Sequence, residues 1–393
     1  MAKKDFKLPT KIVHSGRNPA EQHGAVNVPV HHVSTIVFDT LSELKTAVAN
    51  YDGKDVLIYG RMGTPTTFAF ENTMAELEGG FGGVALPSGK AAIVVSILSQ
   101  VKAGDHLLMV DSCYGPARQF CDERLPLNGV EVTYYDPMIG GNIEKLIRAN
   151  TTCIYMESPG SISFEIQDVP AIVAVAKKHG ITTCFDNSWG SPCFYNPLQH
   201  GVNISVTAAT KYISGHSDAM LGVVVADEEH YPSVHKCRYL HGYCAGPDDV
   251  FLGLRGLRTL QVRMQQHQKQ ALELAHWLNQ HPAVKRVLHP ALENCPGHDI
   301  WRRDFSGSSG LFSFELEKRS EQSLEKMMDN LSLFAMGFSW GGFESLLVPM
   351  DLSSSRTATQ WQSDHQLFRV HAGFEDIDDL KADLQAGIER YLA

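Results

Sequence analysis

Lys211 is the residue whose type and position most directly suggest chemistry. It directly follows an apolar run rich in β-branched residues, 204–210, and precedes Tyr212 and then small and polar residues. A lysine at such a junction usually marks only the exposed end of a strand. A lysine amine held in a pocket can instead react with a carbonyl group to form a Schiff base. Other candidate residues must decide between these two interpretations.

Three further groups would complete a site for an aldehyde cofactor on such a lysine. Asp186 ends the preceding apolar run and would keep a ring nitrogen protonated. Ser88 and Gly89 come just before the helical run 91–101, whose N-terminal backbone N–H groups would hold a phosphate. Tyr114 follows another apolar run and would stack on a ring. Each signal is weak alone, but together they match what pyridoxal phosphate requires.

The elements that must position these residues alternate in type. Between residues 84 and 227, short β-branched runs alternate with helical stretches, one of which, 168–180, has Asp168 as N-cap and Gly180 past its end. This alternation predicts an α/β domain, a mostly parallel sheet covered on both faces by helices. The strand candidates are 106–111, 130–136, 151–158, 181–188, 204–210 and 221–227.

Most of these strand candidates end in a polar or ionisable residue. In open α/β sheets ligands bind at the carboxyl ends of the strands, so these side chains are expected to converge on one crevice. Lys211 and Asp186 would then be neighbours in space. The residues at the strand ends are Asp111, Asp136, Glu157, Asp186, Asn187, Thr210 and Lys211.

The rest of the chain predicts two further regions. The first ~60 residues lack clear periodicity and are interpreted as an arm that packs on something else. A long amphipathic helix is predicted over 250–280, and the domain boundary is placed inside it, near 256. The predicted regions are an N-terminal arm (1–60), an α/β cofactor-binding domain (61–256) and a smaller α+β domain (257–393), the last with strand candidates 309–317 and 367–373 and helix candidates 323–331 and 376–392.

Composition excludes several classes of function. The chain has 393 residues, 43% of them hydrophobic and 20% charged, which is an ordinary globular balance. A net charge of -10 argues against nucleic-acid binding. No apolar run approaches the ~20 residues of a membrane helix, and no apolar segment follows the first lysines as in a signal peptide. The eight cysteines form no C-x-x-C pair and are interpreted as reduced core thiols, so a cytoplasmic enzyme is expected.

Eight motifs resemble those of the pyridoxal-phosphate enzymes of cystathionine and methionine metabolism. They cover nearly the whole chain in the right order. The resemblance implies a fold-type I, transferase-like architecture with a mostly parallel seven-stranded sheet, a small amino-acid substrate, and a homotetramer built from dimers that share active sites. The motifs are YGRMGTPT (59–66), PSGKAA (87–92), SCYGP (112–116), ESPGS (157–161), FDNSW (185–189), ATKYISGHSDAM (209–220), SWGGFES (339–345) and LFRVHAGFED (367–376).

Matching these motifs residue by residue implies individual roles. Lys211 becomes the Schiff-base lysine, Asp186 the partner of the pyridine nitrogen, and Tyr114 the ring-stacking residue with a further role in proton transfer. Arg369 binds the substrate α-carboxylate through two parallel hydrogen bonds, a geometry suited to a guanidinium. The remaining implied contacts are Ser88, Gly89, Lys90 and Thr210 at the cofactor phosphate, Tyr59 and Arg61 reaching the phosphate of a neighbouring subunit, and Ser339, Trp340, Tyr114 and Tyr59 at the substrate.

Three departures from the family pattern bear on these roles. Many relatives have serine where this chain has Ala208, so one phosphate hydrogen bond must be missing or come from elsewhere, with Thr207 as a candidate. Many have methionine at the position of Lys90. Relatives that act at the γ-carbon often carry asparagine and leucine where this chain has Ser161 and Trp340, and both changes favour the β-lyase branch.

The resemblance therefore implies pyridoxal-phosphate-dependent β-elimination of L-cystathionine to homocysteine, pyruvate and ammonia, a step of methionine biosynthesis. Two alternatives share the same site: a cystathionine or methionine γ-lyase, and a broad cysteine-S-conjugate β-lyase.

Other classes of protein fit the sequence less well. A metal hydrolase using Gly-His-Ser-Asp at 215–218 would need paired ligands that the spacing does not provide, so His216 is interpreted as a structural histidine and no metal is predicted. A dinucleotide oxidoreductase lacks a G-x-G-x-x-G turn in the first half. A non-enzymatic binding protein would have no need of the lysine, aspartate, tyrosine and arginine at matching positions.

Overall fold

A computed structural model of the chain describes residues 6–51, 54–353 and 355–393. These residues form two β-sheets with helices packed around them. The helices are α1 Leu8–His14, α2 Leu41–Ala49, α3 Pro65–Glu78, α4 Gly89–Leu98, α5 Gly115–Glu123, α6 Val169–His179, α7 Ser191–Phe194, α8 Tyr231–His241, α9 Pro247–Leu257, α10 Leu260–Gln280, α11 His298–Asp304, α12 Glu321–Met328 and α13 Ile377–Leu392. The strands are β1 Gly82–Leu86, β2 His106–Val110, β3 Glu131–Tyr135, β4 Thr151–Glu157, β5 Thr182–Asp186, β6 Ile204–Thr207, β7 Gly222–Ala226, β8 Val284–Leu288, β9 Leu311–Glu317, β10 Leu346–Met350 and β11 His365–His371.

The larger sheet has seven strands in the order β1-β7-β6-β5-β4-β2-β3. Neighbouring strands are parallel except at β7, which runs antiparallel to both β1 and β6. The predicted mostly parallel seven-stranded sheet is therefore confirmed, and each of the six strand candidates contains a strand. Helix α6 has its predicted caps, because Asp168 accepts the N–H of Ala171 and Gly180 takes φ +65°.

Strand β1 was not among the strand candidates. Its sequence, GGVAL, opens with two glycines, which weaken a strand pattern. The fold explains one of them, because a Cβ on Gly83 would lie 2.4 Å from the backbone oxygen of Glu71 on α3. Helix α3 thus packs directly on the backbone of this edge strand. Gly83 permits this contact, although the same glycine weakens the strand pattern in the sequence.

The second sheet is antiparallel, in the order β10-β11-β9-β8. Its core includes the stacked rings of Phe314 and Phe368, whose centroids are 5.1 Å apart, and Tyr391 of α13. Strands β9 and β11 match candidates, as do α12 and α13. Strands β8 and β10 were not predicted, because β8 carries two basic residues in five and β10 contains Pro349.

The long helix predicted over 250–280 is wrong in one respect, because two helices, α9 and α10, occupy this stretch. The helix breaks at Thr259, which takes φ -110° and ψ 5°. The carbonyl of Gly256 instead accepts a hydrogen bond from the Arg263 guanidinium at 2.8 Å, and Gly256 packs so closely that a Cβ there would lie 2.2 Å from the Ile213 oxygen. A side-chain donor seven residues along the chain thus shares this carbonyl with the N–H of Thr259.

The N-terminal segment differs from both sheets in how little it buries. Helix α1 buries Ile12, whereas α2 has no buried residue. Large apolar side chains of this segment stay exposed, namely Val26, Val33, Val37, Leu41, Leu44, Val48, Tyr51 and Tyr59. The strands of the two sheets fall on either side of the boundary placed near 256, but the division into 1–60, 61–256 and 257–393 stays a prediction.

Two further findings concern helices and cysteines. Within the described ranges, no helix combines the length and the apolar character that crossing a bilayer requires. All eight cysteines are free thiols and seven are buried, as expected for core thiols. The exposed exception is Cys244, which lies in the loop between α8 and α9.

Candidate active site

A pocket of about 250 Å³ lies at the carboxyl ends of the strands of the larger sheet. Residues from β4, β5, the turn after β6 and the second sheet contribute to its wall. It brings together nine residues that sequence analysis predicted as site residues: Ser88, Gly89, Lys90, Tyr114, Asp186, Thr210, Lys211, Trp340 and Arg369.

Lys211 lies in this pocket with its amine held on one side. Its Nζ donates a hydrogen bond to Ser339 Oγ at 2.6 Å and lies 5.3 Å from the ring centroid of Trp340. Burial and the nearby Arg369 guanidinium lower the pKa of Lys211 to about 8, against the opposing effect of Asp186. At pKa 8, about a tenth of the amines are neutral at pH 7, which suits a nucleophile or general base.

Asp186 and Glu157 end the adjacent parallel strands β5 and β4 and are register partners. Burial raises the pKa of Asp186, whereas hydrogen bonds from Ser188 and the charge of Lys211 lower it. Burial and the neighbouring Asp186 raise the pKa of Glu157 well above its usual range, although it accepts the N–H of Tyr114 at 2.7 Å. The charge of Lys211 thus favours the ionised form of Asp186, whereas the charge of Asp186 favours the protonated form of Glu157. Sequence analysis named Glu157 only as a strand end and missed its place in the pocket wall.

The N-terminus of α4 forms one end of the pocket. Ser88 caps the helix by accepting the N–H of Ala91 at 3.1 Å. A Cβ on Gly89 would lie 2.6 Å from the Cβ of Ala208, so only glycine lets the helix end approach the turn before Lys211. Lys90 lines the pocket beside them. The backbone N–H groups of this turn thus border an open space, as an anion site requires.

The region around Ala208 corrects one expectation. Thr207 was a candidate for the missing phosphate contact, but its hydroxyl donates to buried Glu78 at 3.3 Å, and it is not a lining residue of the pocket. This assignment is wrong because side chains alternate along β6, so Thr207 and Ala208 point to opposite sides. Ala208 itself lines the pocket, and its N–H donates to Ser188 Oγ at 2.8 Å.

Tyr114 is the N-cap residue of α5 and lines the pocket with 43% of its surface exposed. Burial of the phenol and the nearby carboxyl of Glu157 raise the pKa of Tyr114. A raised pKa favours the protonated phenol, which can donate a hydrogen bond.

Arg369 of β11 faces the pocket from the second sheet. Its guanidinium donates to the Ser339 carbonyl at 3.2 Å, so it adjoins the segment that also contacts Lys211. Burial lowers the pKa of Arg369, with Tyr114 acting in the opposite direction. A half-buried guanidinium with donors to spare is a suitable partner for a substrate carboxylate.

Behind Lys211, helix α10 holds the following turn. Arg263 donates to the carbonyls of Tyr212 at 2.7 Å and Ile213 at 3.2 Å. A Cβ on Gly215 would lie 1.9 Å from Arg263 Nη1, so this glycine makes room for the guanidinium. Nothing in the local sequence around Lys211 points to this support, because Arg263 lies 51 residues from Tyr212.

Some predicted strand-end residues do not join the pocket. Asp111 accepts hydrogen bonds from the backbone N–H groups of residues 357–359 and from Arg118, and it lies outside the lining. Asp136 accepts the N–H of Met138 at 2.8 Å in a local turn, and the amide of Asn187 donates to the Tyr195 carbonyl at 3.0 Å. The expected convergence of all strand ends is therefore wrong for these residues.

Tyr59 and Arg61 also lie away from this pocket. Tyr59 is 45% exposed, and the Arg61 guanidinium lies 4.9 Å from the ring centroid of Tyr239 and 6.0 Å from that of Tyr59. Neither residue lines the pocket of its own chain.

The segment 215–218 shows no sign of a metal centre. His216 Nδ1 bonds the Ser214 carbonyl at 2.7 Å, and Ser217 donates to Glu344 at 2.6 Å. In the part of the chain that the structure describes, no three side chains of the histidine, cysteine, aspartate or glutamate type could hold an ion together.

The donor set fits the cofactor expected from the sequence. The lysine amine lies in a pocket that has a buried carboxylate, Asp186, on one part of its wall and a glycine-floored helix N-terminus, at Gly89, on another. An aldehyde, a basic ring nitrogen and a phosphate are the groups that a lysine, a carboxylate and such a helix end bind. These residues therefore suit pyridoxal phosphate.

Comparisons with known proteins agree with this chemistry. Residues 9–389 match the family model described as Cys/Met metabolism PLP-dependent enzyme. The chain is 45% identical to a putative cystathionine beta-lyase of Rhizobium johnstonii, over 96% of this chain and 95% of that protein, and 44% identical to the cystathionine beta-lyase of Haemophilus influenzae, over 98% of each. The crystal structure of a cystathionine gamma synthase from Xanthomonas oryzae pv. oryzae, in complex with aminoacrylate and cysteine, superposes with a TM-score of 0.90 at 31% identity over 99% of each chain.

Proposed function

Since the chain belongs to the pyridoxal-phosphate-dependent enzymes of cysteine and methionine metabolism, we propose that it is a lyase that cleaves L-cystathionine on the β side of its sulfur. The products are homocysteine, pyruvate and ammonia, which places the reaction in methionine biosynthesis. The observation that carries the proposal is Lys211, an amine of lowered pKa in a pocket with Asp186 and Arg369. The names of the two similar lyases support the choice of substrate and bond.

Each pocket residue has a defined task in this reaction. Lys211 and Asp186 would hold pyridoxal phosphate together with the N-terminus of α4 at Gly89. When bound, this cofactor withdraws the electrons left on the substrate α-carbon. Arg369 binds the substrate α-carboxylate and so fixes which face of the α-carbon meets Lys211.

Lys211 then moves the proton on which the reaction depends. Its neutral amine takes the α-proton, and the electron pair left behind forms a double bond as the β-carbon–sulfur bond breaks. The thiolate takes up a proton and leaves as homocysteine. The remaining three-carbon fragment takes up water and becomes pyruvate and ammonia, so atoms and charge balance. Tyr114, which keeps its proton, donates a hydrogen bond beside the ring position.

The preference for the β side rests on Trp340. γ-Elimination requires a second proton removal, at the β-carbon, and therefore a lysine that moves between two positions. The Trp340 ring lies 5.3 Å from Lys211 Nζ, and Ser339 holds the same amine at 2.6 Å. Both contacts restrict the amine to one side. Ser161, the other position at which the sequence favours a β-lyase, lies in the pocket wall.

Product analysis with L-cystathionine tests the proposal. The purified enzyme loaded with pyridoxal phosphate is incubated with L-cystathionine, and both keto acids and both thiols are quantified. We expect pyruvate and homocysteine in large excess. An excess of 2-oxobutyrate and cysteine would overturn the β-lyase assignment in favour of a γ-lyase. Faster turnover of simple S-alkyl cysteines than of cystathionine would favour a broad S-conjugate lyase.

We also propose a cytoplasmic homotetramer built from dimers that share active sites. The exposed apolar side chains around α2 and the position of Tyr59 and Arg61 outside their own pocket support a neighbouring subunit as their partner. In this arrangement Tyr59 and Arg61 reach the phosphate end of the neighbour's pocket, and Tyr59 also contacts the substrate. The free thiols of all eight cysteines suit a reducing compartment.

A further inference from the structure

His371 lies behind the pocket and makes two hydrogen bonds to the segment 339–344, here called the serine loop. Its Nε2 accepts the N–H of Gly341 at 3.1 Å, and its Nδ1 lies 3.0 Å from the carbonyl oxygen of Glu344. A carbonyl oxygen can only accept a hydrogen bond, so Nδ1 carries the proton. Nε2 is then unprotonated and accepts the N–H of Gly341. The ring is 1% exposed and packs against His267, with ring centroids 5.1 Å apart. One neutral tautomer of His371 therefore makes both hydrogen bonds to the loop, to Gly341 and to Glu344.

The serine loop has a backbone that needs such support. Ser339 takes φ +83°, which is unfavourable for a residue with a side chain, and Gly341 takes φ +92°. A Cβ on Gly341 would lie 2.9 Å from the carbonyl carbon of Lys211, so the loop runs directly over the backbone of the catalytic lysine. Small displacements of the loop would therefore move its contacts with Lys211.

Strand β11 fixes this loop from one face. Arg369 and His371 are two residues apart and point to the same side of the sheet. Arg369 donates to the carbonyl of Ser339 at 3.2 Å, while His371 holds Gly341 and Glu344 farther along. The hydroxyl of Ser339 is thereby directed at Lys211 Nζ, 2.6 Å away.

We propose that His371 is a positioning residue that holds the serine loop so that Ser339 and Trp340 keep the Lys211 amine on one side of the pocket. His371 itself is not among the lining residues of the pocket and acts only through the loop. The proposal rests on the assignment of Lys211 as the cofactor lysine. It predicts that the two hydrogen bonds of His371 matter separately and that the one to Gly341, nearer Ser339, matters more.

Three substitutions separate the two hydrogen bonds. His371→Gln places an amide oxygen near the position of Nε2 and can still accept from Gly341, whereas His371→Asn places an amide nitrogen near Nδ1 and can still donate to Glu344. His371→Ala does neither. The matched control is His289→Gln, since His289 is also a fully buried histidine that contacts the N–H of Ala291 at 3.1 Å and packs on Phe312, away from the pocket.

The first measurement is the pH midpoint of the visible absorbance of the bound cofactor, which reports the protonation of its bond to Lys211. We expect His371→Ala to shift this midpoint by about half a pH unit or more, in the same direction as Ser339→Ala. The shift should be smaller in His371→Gln than in His371→Asn. The control His289→Gln should keep the wild-type midpoint, even if its melting temperature falls.

The second measurement needs no cofactor. In the apoprotein, the rate of reductive methylation of Lys211, followed by peptide mass spectrometry, gives the apparent pKa of the amine. We expect this pKa to change in His371→Ala and to be largely restored in His371→Gln. If His371→Ala does not fold, the comparison of the Gln and Asn variants decides the same point.

Wild-type midpoints in every folded His371 variant, by both methods, would overturn the positioning role. A failure of the proposed β-lyase function looks different, because it would change the products and leave these midpoints unaffected. If the wild-type protein carried no cofactor on Lys211, the apoprotein titration would still test whether His371 controls the lysine.

Discussion

The residues assigned to one site lie in two different surroundings: the pocket, and the N-terminal arm (residues 1–60 as predicted), where Tyr59 lies near its end and Arg61 directly follows it. In the pocket, Asp186 and Lys211 are enclosed by strand ends, a helix N-terminus and the serine loop. In the N-terminal segment, α2 buries no residue, and Tyr59 is 45% exposed. The first set is enclosed within the chain, whereas the second lies among large apolar side chains that stay exposed.

This difference fits the proposal that a single chain supplies only part of the site. The lysine, the ring carboxylate and the first phosphate contacts come from one fold and are fixed by its packing. In the proposed shared site, the cofactor contacts of Tyr59 and Arg61 come from a second subunit, and the large exposed apolar side chains near them support that proposal because such side chains are normally covered by a partner. Substitutions in the pocket should therefore act within a chain, and substitutions near the arm should act between chains.

The largest effect is expected at Lys211. Lys211→Ala should lower kcat by about 10³-fold or more, because the nucleophile and the general base are lost together. Borohydride reduction of the wild-type holoenzyme and peptide mapping should place a pyridoxyl group on Lys211. The matched control is Lys90→Ala, since Lys90 lines the same pocket, and this variant should keep the adduct. An adduct on Lys90 in the wild-type enzyme would contradict the assignment of Lys211 as the Schiff-base lysine.

The next effect is expected at Arg369. Arg369→Leu should raise KM for cystathionine by about 100-fold, because the substrate carboxylate loses its charged, hydrogen-bonded partner in a buried site. Arg369→Lys should restore only part of this loss, since an ammonium cannot form two parallel hydrogen bonds. A KM unchanged in Arg369→Leu, measured over a full substrate titration, would contradict the carboxylate role.

The same substitution has a pH consequence whose sign follows from charge. Burial, and after it the Arg369 guanidinium, lower the pKa of Lys211 to about 8. Removing this positive charge favours the protonated amine, so the pKa of Lys211 should rise in Arg369→Leu and the neutral fraction at a fixed pH should fall. Methylation of Lys211 in the apoprotein should then reach half its maximal rate at a higher pH. An unchanged or lower midpoint would argue that burial alone sets this pKa.

A smaller effect is expected at Arg61, and it tests the arm rather than the pocket. Arg61→Ala should weaken binding of pyridoxal phosphate by about tenfold or more, since one charge-assisted hydrogen bond is lost. After subunit exchange, an equal mixture of Arg61→Ala and Lys211→Ala chains should regain about a quarter of wild-type activity, because mixed dimers then contain one intact site. Lys211→Ala alone, treated identically, is the control. No recovery despite proven exchange, or a monomeric mass at working concentration, would refute the shared site.

The smallest effect is expected at Trp340. Trp340→Leu should raise the share of 2-oxobutyrate among the products, because packing discriminates between competing poses by only ~1–3 kcal/mol. Trp277→Leu is the matched control, since the Trp277 ring lies 5.5 Å from that of His281, packs on the core of the second sheet and does not line the pocket. A product ratio that moves equally in both variants would assign the effect to general loosening of the fold.

Local patterns in the sequence were sufficient for the parts of the site that lie at the ends of strands. The strand-end rule brought Lys211 and Asp186 together, and the cap signal placed Ser88 before a helix. The rule was wrong for Asp111 because β2 lies toward the edge of the sheet, where the backbone of residues 357–359 covers this carboxylate. That partner lies some 246 residues away, so no local pattern reveals it.

Contacts of high sequence separation account for the other omissions. The Arg356 guanidinium forms a buried ion pair with Glu165 at 2.7 Å across 191 residues, beside the pocket wall at 159–164. In the sequence, Gly256 weakens a helix pattern and Gly83 weakens a strand pattern. Their role becomes clear only from the distant backbone atoms that pack against them. The assignment of Tyr59 and Arg61 came only from family resemblance, because their expected target lies outside the chain.

The hydrogen bonds from Arg263 to the turn after Lys211 limit where the chain can be cut without loss of support for that turn. Arg263 belongs to α10, beyond the boundary placed near 256, yet it fixes the carbonyls of Tyr212 and Ile213 behind the reactive lysine. A gene fragment that ends before α10 would encode the complete larger sheet and still leave this turn without its support. The larger sheet is therefore not an independent module that recombination or truncation could transfer intact. A transferred segment would have to include α10 to keep the turn after Lys211 supported.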